Sequence, residues 1–169
     1  MLTQKKKKMK IYLKKFPTHI KTSKTKFKKI NGNLIWSTSN HFIRNMIKEE
    51  ISKYILEELE NIKSLEMKYP LRIRSKYFLP WNYHNVSMRK DKKGNKVISW
   101  NKDNNYDNNY KWDIGNLGYI WDKVFIDCLT KKKLIPDDSI RYVRSSGGVE
   151  FIPINNLSER KIIFEIEEY

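Results

Sequence analysis

The chain has 169 residues, with hydrophobic residues at 39% and aromatics at 13%, enough for one domain with a buried core and too apolar for wholesale disorder. Its 35 Lys and Arg against 19 Asp and Glu leave a formal net charge of +16, which points to a polyanionic partner, with nucleic acid first. No apolar run approaches the ~20 residues of a membrane span, the basic N-terminus lacks the apolar stretch of a signal peptide, and Cys128 stands alone, so a protein of a reducing cytoplasm without an internal disulfide is expected.

The charge is uneven. Twelve lysines fall in the first 29 residues, starting with Lys5–Lys8, and no Asp or Glu precedes Glu49. Residues 1–8 read as a basic tail and 9–169 as one domain. A solubilising tail or a lipid anchor is the plainer reading of such lysines, although membrane binding would also want an apolar helical face.

In chain order, "MKIYLKKF" (Met9–Phe16) alternates as a first strand that Pro17 ends. A basic loop follows to about Ser37, with a turn at Asn31–Asn33. Ser39 or Asn40 can cap a long helix reaching about Met67, with Phe42, Ile43, Met46, Ile47, Ile51, Tyr54, Ile55, Leu59 and Ile62 on one face. "YPLRIRSKYFLP" (Tyr69–Pro80) reads as a strand with Leu71, Ile73 and Ser75 facing one way and Arg72, Arg74 and Lys76 the other. Ser87–Trp100 reads as a hairpin turning at "DKKGN", and Asn101–Tyr110 as a polar loop. A second helix over about Asn116–Thr130 leads into strands near Ile140–Arg144, Val149–Ile154 and Lys161–Glu167. The order β-α-β-β-α-β-β implies a single mixed α/β (α+β) domain, its mixed sheet packed against two main helices.

The informative stretch is "DIGNLGYIWDKVFIDCLTKKKLIPDDS" (Asp113–Ser139), which gathers Asp113, Asp122, Asp127, Asp137 and Asp138 in a largely apolar segment. On a helical wheel Asn116, Lys123 and Asp127 share one face, beside a stripe of Leu117, Ile120, Trp121, Val124 and Cys128 expected to be buried. Asp122 falls away from both. A return of the chain after Lys131–Lys133 could bring Asp137 and Asp138 alongside. Aspartates closing on one point need a hard cation; Mg²⁺ takes a few carboxylates, waters and substrate phosphate, and on a basic protein the natural substrate is a phosphodiester. The alternative is that these aspartates are caps, turn residues and surface charges.

The same segment resembles the RusA family of Holliday-junction resolvases, whose core runs Asp-x-Asp-Asn, a helix with "DAL", then a hydrophobic step into "DDS". Here "DIGN" (Asp113–Asn116), "DCL" (Asp127–Leu129) and "LIPDDS" (Leu134–Ser139) stand in those places. Asp122–Leu129 matches the phage-type "DKxxxDxL", and "GGVEF" and "KIIFEI" are similar to the closing strands. Two positions depart: the second metal-binding aspartate falls on Gly115, and the family lysine on Tyr119, with Lys123 one turn further on. The resemblance implies a homodimer that nicks four-way DNA junctions symmetrically with Mg²⁺ (or Mn²⁺), in a bacterial cytoplasm and as a phage-type member, with the dimer pairing near the first strand. It implies metal ligands Asp113 and Asp138, then Asp127 and Asp137. Asn116 would orient a carboxylate or water, and Lys123 would contact phosphate or the transition state. Arg72, Arg74 and Lys76, with Lys131, Lys132 and Lys133, are candidate contacts to the DNA backbone; a solvated strand face is the competing reading for the first three. A catalytically silent junction-binding protein, or a basic partner-binding protein with no site, are the other two functions the sequence admits.

His19, His41 and His84 lack metal-ligand spacing and read as structural or surface residues. Cys128 reads as a packing residue, and Ser145–Val149 as a turn. Trp81 and Trp100 either stack on bases or cover a core edge.

Overall fold

The computed structural model describes residues 6–17, 19–21, 27–30, 41–80, 83–94, 96–102 and 114–169, with the backbone alone at 19–21, 27–29, 83–89, 96–102, 114–117 and 147. In chain order these form β1 (Lys8–Leu13), β2 (His19–Lys21), β3 (Phe27–Lys29), α1 (His41–Glu58), β4 (Leu71–Pro80), β5 (Tyr83–Lys90), β6 (Lys96–Lys102), α2 (Ile114–Lys131), β7 (Val143–Ile154), a 3-10 turn (Leu157–Glu159) and β8 (Lys161–Glu168). One four-stranded sheet runs β1-β8-β4-β7, antiparallel except for the parallel pair β4–β7, while β2–β3 and β5–β6 are separate antiparallel pairs. The mixed sheet with two main helices is the architecture expected from the element order.

Strand alternation sorts the two sheet faces. Cross-strand rows Met9–Ile166–Ile73 and Leu13–Ile162–Tyr77 point to the helices, whereas Lys8–Glu167–Arg72 and Lys10–Glu165–Arg74 point away. The inward residues Ile11, Leu13, Ile73, Tyr77, Ile162, Phe164 and Ile166 are buried, each large apolar side chain contributing roughly 1.5–3 kcal/mol. On the other face Lys8, Arg72 and Arg74 converge on Glu167, Lys10 pairs with Glu165 at 3.1 Å and Lys76 with Glu150 at 3.0 Å. Lys7 is already tied to this edge: its Nζ donates to the Glu66 carbonyl at 2.9 Å and its carbonyl accepts from Glu168. Sheet structure therefore begins at Lys8, with Lys7 already held against its edge.

α1 buries Ile47, Ile51 and Ile55 and stops at Glu58, short of the expected Met67. The Glu60 and Ile62 amides fall back on the Glu57 and Leu59 carbonyls at 3.2 Å, a tightened last turn that lets the chain leave the helix. Leu59 and Leu65 are buried all the same, from a turn and from an irregular segment. The proposed caps Ser39 and Asn40, the turn at Asn31–Asn33 and most of the loop Asn101–Tyr110 lie outside the described residues. Ser145–Val149 is no turn: it belongs to the 12-residue strand β7, which absorbs two of the expected strands. Pairing with β4 keeps it extended, and Gly148 lets the Arg74 side chain cross, since a Cβ there would meet Arg74 Cγ at 3.1 Å.

α2 lies on the sheet between α1 and β7, with Phe125 stacked on Phe164 at 3.9 Å and Trp121 edge-on to Phe16 at 5.5 Å. Gly118 sets the close approach to β7; a Cβ there would sit 2.6 Å from Val149 Cγ2. The helix ends in a Schellman turn: the Leu134 amide reaches the Leu129 carbonyl and the Lys133 amide the Thr130 carbonyl, both at 2.9 Å, with Lys133 at φ +58°. Leu134 and Ile135 then plug into the core. That anchor turns "PDDS" back alongside the helix.

Candidate functional site

From residue 118 onward α2 is buried on most sides: Ile120, Trp121, Asp122, Val124, Phe125, Ile126, Cys128 and Leu129 are all buried. Tyr119 and Lys131 are exposed, and Lys123 and Asp127 partly so, which makes one narrow stripe at helical spacing. Cys128 packs as the sequence predicts.

On this stripe Lys123 Nζ lies 2.8 Å from Asp127 Oδ1 and 2.7 Å from Asp138 Oδ2. One aspartate comes from the helix, one turn on. The other comes from the returning loop before β7. Hydrogen bonds to Asp127 and then to Asp138 push the Lys123 pKa up to about 12, and the same lysine holds the Asp138 carboxyl below its ordinary value. All three side chains are nearly half exposed, so the pairs add little stability. Their arrangement is a matter of chemistry: two carboxylates share one cationic point.

The other predicted ligands stand apart or out of view. Asp137 turns its Oδ1 to the Ser139 amide at 2.8 Å, as a turn residue does. Asp113 and the side chain of Asn116 lie outside the described residues, as do Trp81 and the side chains of His19, His84 and Trp100. Among the described residues no group of three or more His, Cys, Asp or Glu side chains could hold a metal ion. Two carboxylates are the number that Mg²⁺ commonly takes from a protein, but the point on which Asp127 and Asp138 converge holds the Lys123 ammonium, so a metal ion there would have to displace it.

Arg72, Arg74 and Lys76 are not brought to this cluster. They sit on the far face of the sheet, paired with Glu167 and Glu150. Lys131, Lys132 and Lys133 are exposed at the C-terminal end of α2, where the helix dipole favours cations, and Lys131 continues the stripe past Asp127.

Asp122 corrects the wheel. Instead of falling away from the core it is 5% exposed; its Oδ1 accepts from the Tyr77 hydroxyl at 3.0 Å, while Oδ2 and the buried Ser75 hydroxyl have no hydrogen-bond partner. Burial pushes the Asp122 pKa up to about 6, partly opposed by the neighbouring Ser75 and Tyr77 hydroxyls. A wheel with one buried stripe cannot register a helix enclosed by α1, β4 and β7 at once.

The sequence reading also missed a cavity of about 230 Å³ between the helices, next to the cluster. His41, Arg44, Asn45 and Lys48 of α1 face Tyr119 and Lys123 of α2 across a floor of Ile120 and Val124. The repeat of basic residues at positions 41, 44 and 48 is a helical face, so the signal was present in the sequence.

No family model matches the chain, and a search of the curated proteins finds no match. No described helix is long and apolar enough to cross a membrane.

Proposed function

We propose that the protein is a Mg²⁺-dependent endonuclease of branched DNA, in the manner of the RusA-like junction resolvases that its sequence resembles. The observation that carries this reading is the convergence of Asp127 and Asp138, from a helix and a separate loop, on the single ammonium of Lys123. The net charge of +16 supports a polyanionic substrate. Asp127 and Asp138 would hold Mg²⁺ (or Mn²⁺), with Asp113 completing the set in the family pattern. Held there, the ion would supply positive charge at the phosphoryl oxygen and lower the pKa of a water.

The rest falls to the chain's own groups. Lys123 stays protonated through the neutral range and can exchange a carboxylate for a phosphoryl oxygen, which places charge where it develops during hydrolysis. Lys131–Lys133 extend the basic track beyond the cluster. Asn116, on the same helical face, would orient a carboxylate or a water. A four-way junction needs two nicks related by two-fold symmetry, so two chains acting as a homodimer are the simplest arrangement. β1, an edge strand of the four-stranded sheet, supports pairing of two copies there. This reading places the protein with DNA in a bacterial cytoplasm, as a phage-type member.

A second reading is favoured by the salt bridges themselves. Lys123 already neutralises both carboxylates, and Gly115 stands where the family has an aspartate, which describes a protein that binds junctions without cutting them. An end-labelled four-way junction incubated with and without Mg²⁺ decides. Paired nicks that require the metal support the nuclease. A bound but intact junction at every Mg²⁺ and Mn²⁺ concentration selects the binding protein, and absence of junction binding overturns both.

A further inference from the structure

We infer that the groove between α1 and α2 seats a single unstacked nucleotide of a nucleic-acid strand, its phosphate among His41, Arg44 and Lys48 and its base against Tyr119. The inference deepens the reading above and rests on it only in taking nucleic acid as the partner. The groove joins three features that an unstacked nucleotide needs. Basic side chains line it from both helices, and among the described residues no carboxylate lines it directly, Asp127 and Asp138 reaching it only through Lys123. Its volume of about 230 Å³ falls below the ~300 Å³ at which pockets for drug-sized ligands begin, a size for one phosphate and its sugar. Tyr119, 48% exposed, stands at the rim and offers a ring to a base, as aromatic platforms of single-strand binders do.

The amide nitrogen of Asn45 lies 3.0 Å from His41 Nδ1, which ties the imidazole to the helix face beside the groove. Lys48 forms no ion pair among the described residues and brings an uncommitted charge. Lys123 closes the groove on the α2 side and belongs to the acidic cluster as well. A strand entering the groove is thereby delivered to the carboxylates. A base stacked in a duplex cannot reach Tyr119, so branch points and single strands are favoured over intact duplex.

The test is fluorescence anisotropy with a single-stranded oligonucleotide, a four-way junction and a matched duplex, in EDTA and over a range of salt. His41→Ala/Lys48→Ala is expected to weaken single-strand and junction binding about fivefold to tenfold and to lower the salt slope by about one unit. Lys48→Arg, with His41 intact, restores both. Tyr119→Ala is expected to reduce the preference for single strand over duplex by about fivefold or more. Lys92→Ala, on the exposed β5–β6 turn, controls for general charge. Unchanged affinity and slope in the double variant overturn the groove, as does an equal loss in Lys92→Ala. Because binding is read without divalent metal, a protein that binds in this way yet never cleaves would sink the nuclease and leave the groove standing, and the reverse outcome would do the opposite.

Discussion

Asp127 and Asp122 lie less than two turns apart on one helix and meet opposite fates. Asp127 is on the accessible stripe, paired with Lys123 and through it with Asp138. Asp122 is enclosed between α2 and β4, with one oxygen on the Tyr77 hydroxyl and the other unpaired. The difference teaches what a carboxylate is for. An exposed one that shares a counter-charge costs the fold little and stays accessible from solvent. A buried one opposes its own ionisation, and its place is in the architecture of the core.

The largest expected effect breaks the comparison on the outer side. Asp138→Asn should lower Mg²⁺-dependent junction cleavage by a factor of about 100 or more, while its thermal melt shifts by no more than an exposed ion pair allows, under about 1 kcal/mol. Junction affinity should hold or rise, since a negative charge near phosphate is removed. Cleavage rates and melting curves of the same preparation check both halves.

On the inner side the expected signature is a pH dependence of stability. The Asp122 pKa is raised from 3.8 to about 6 in the fold, so between those values the folded state binds the proton more tightly than the unfolded chain. Stability therefore falls as pH rises through that window, by about 2–3 kcal/mol at full ionisation. Asp138 and Glu167 work the other way: their lowered values, set by hydrogen bonds from Lys123 and Lys8, make a contribution that is lost as pH falls below the ordinary carboxylate range. Urea denaturation across pH should show a maximum near pH ~5. Asp122→Asn should flatten the limb above it and raise stability at pH ~7.

Tyr77→Phe sharpens the same contrast. It removes the one hydrogen bond that reaches Asp122 Oδ1, so it should cost about 1–3 kcal/mol in chemical denaturation and leave nucleic-acid binding intact. The smallest effect is expected from Lys123→Ala. It frees two exposed carboxylates and should change stability by less than about 1 kcal/mol, yet it removes the charge assigned to the phosphate. A large loss of stability in this variant would make the cluster a structural clamp.

Much of this was legible in the residues. The alternation of "LRIRSKYFLP" gave β4 and the contents of both its faces, and helical spacing put Lys123 and Asp127 on one face, though not as an ion pair. The meeting with Asp138 depended on a Schellman turn at Lys133, a left-handed position that lysine does not announce as glycine would. Apolar spacing carried α1 too far because Leu59 is buried and Ile62 packs against the core although the chain is no longer helical there. The Ser-Ser-Gly-Gly run looks like a turn and is held as a strand by its neighbour β4, with Gly148 giving way to Arg74. Asp122 was misread for a similar reason: burial from three sides is a tertiary fact that no wheel contains.

The central proposal is that Asp127 and Asp138 form one cation site, separate from Asp122. Titration with Mn²⁺, followed by the loss of the free-ion electron paramagnetic resonance signal, tests it directly on the intact protein. The account predicts uptake of Mn²⁺ by the wild type and by Asp122→Asn, and loss of that uptake in both Asp127→Asn and Asp138→Asn. Uptake that survives in either of those two variants, that disappears in Asp122→Asn, or that is absent from the wild type would contradict it.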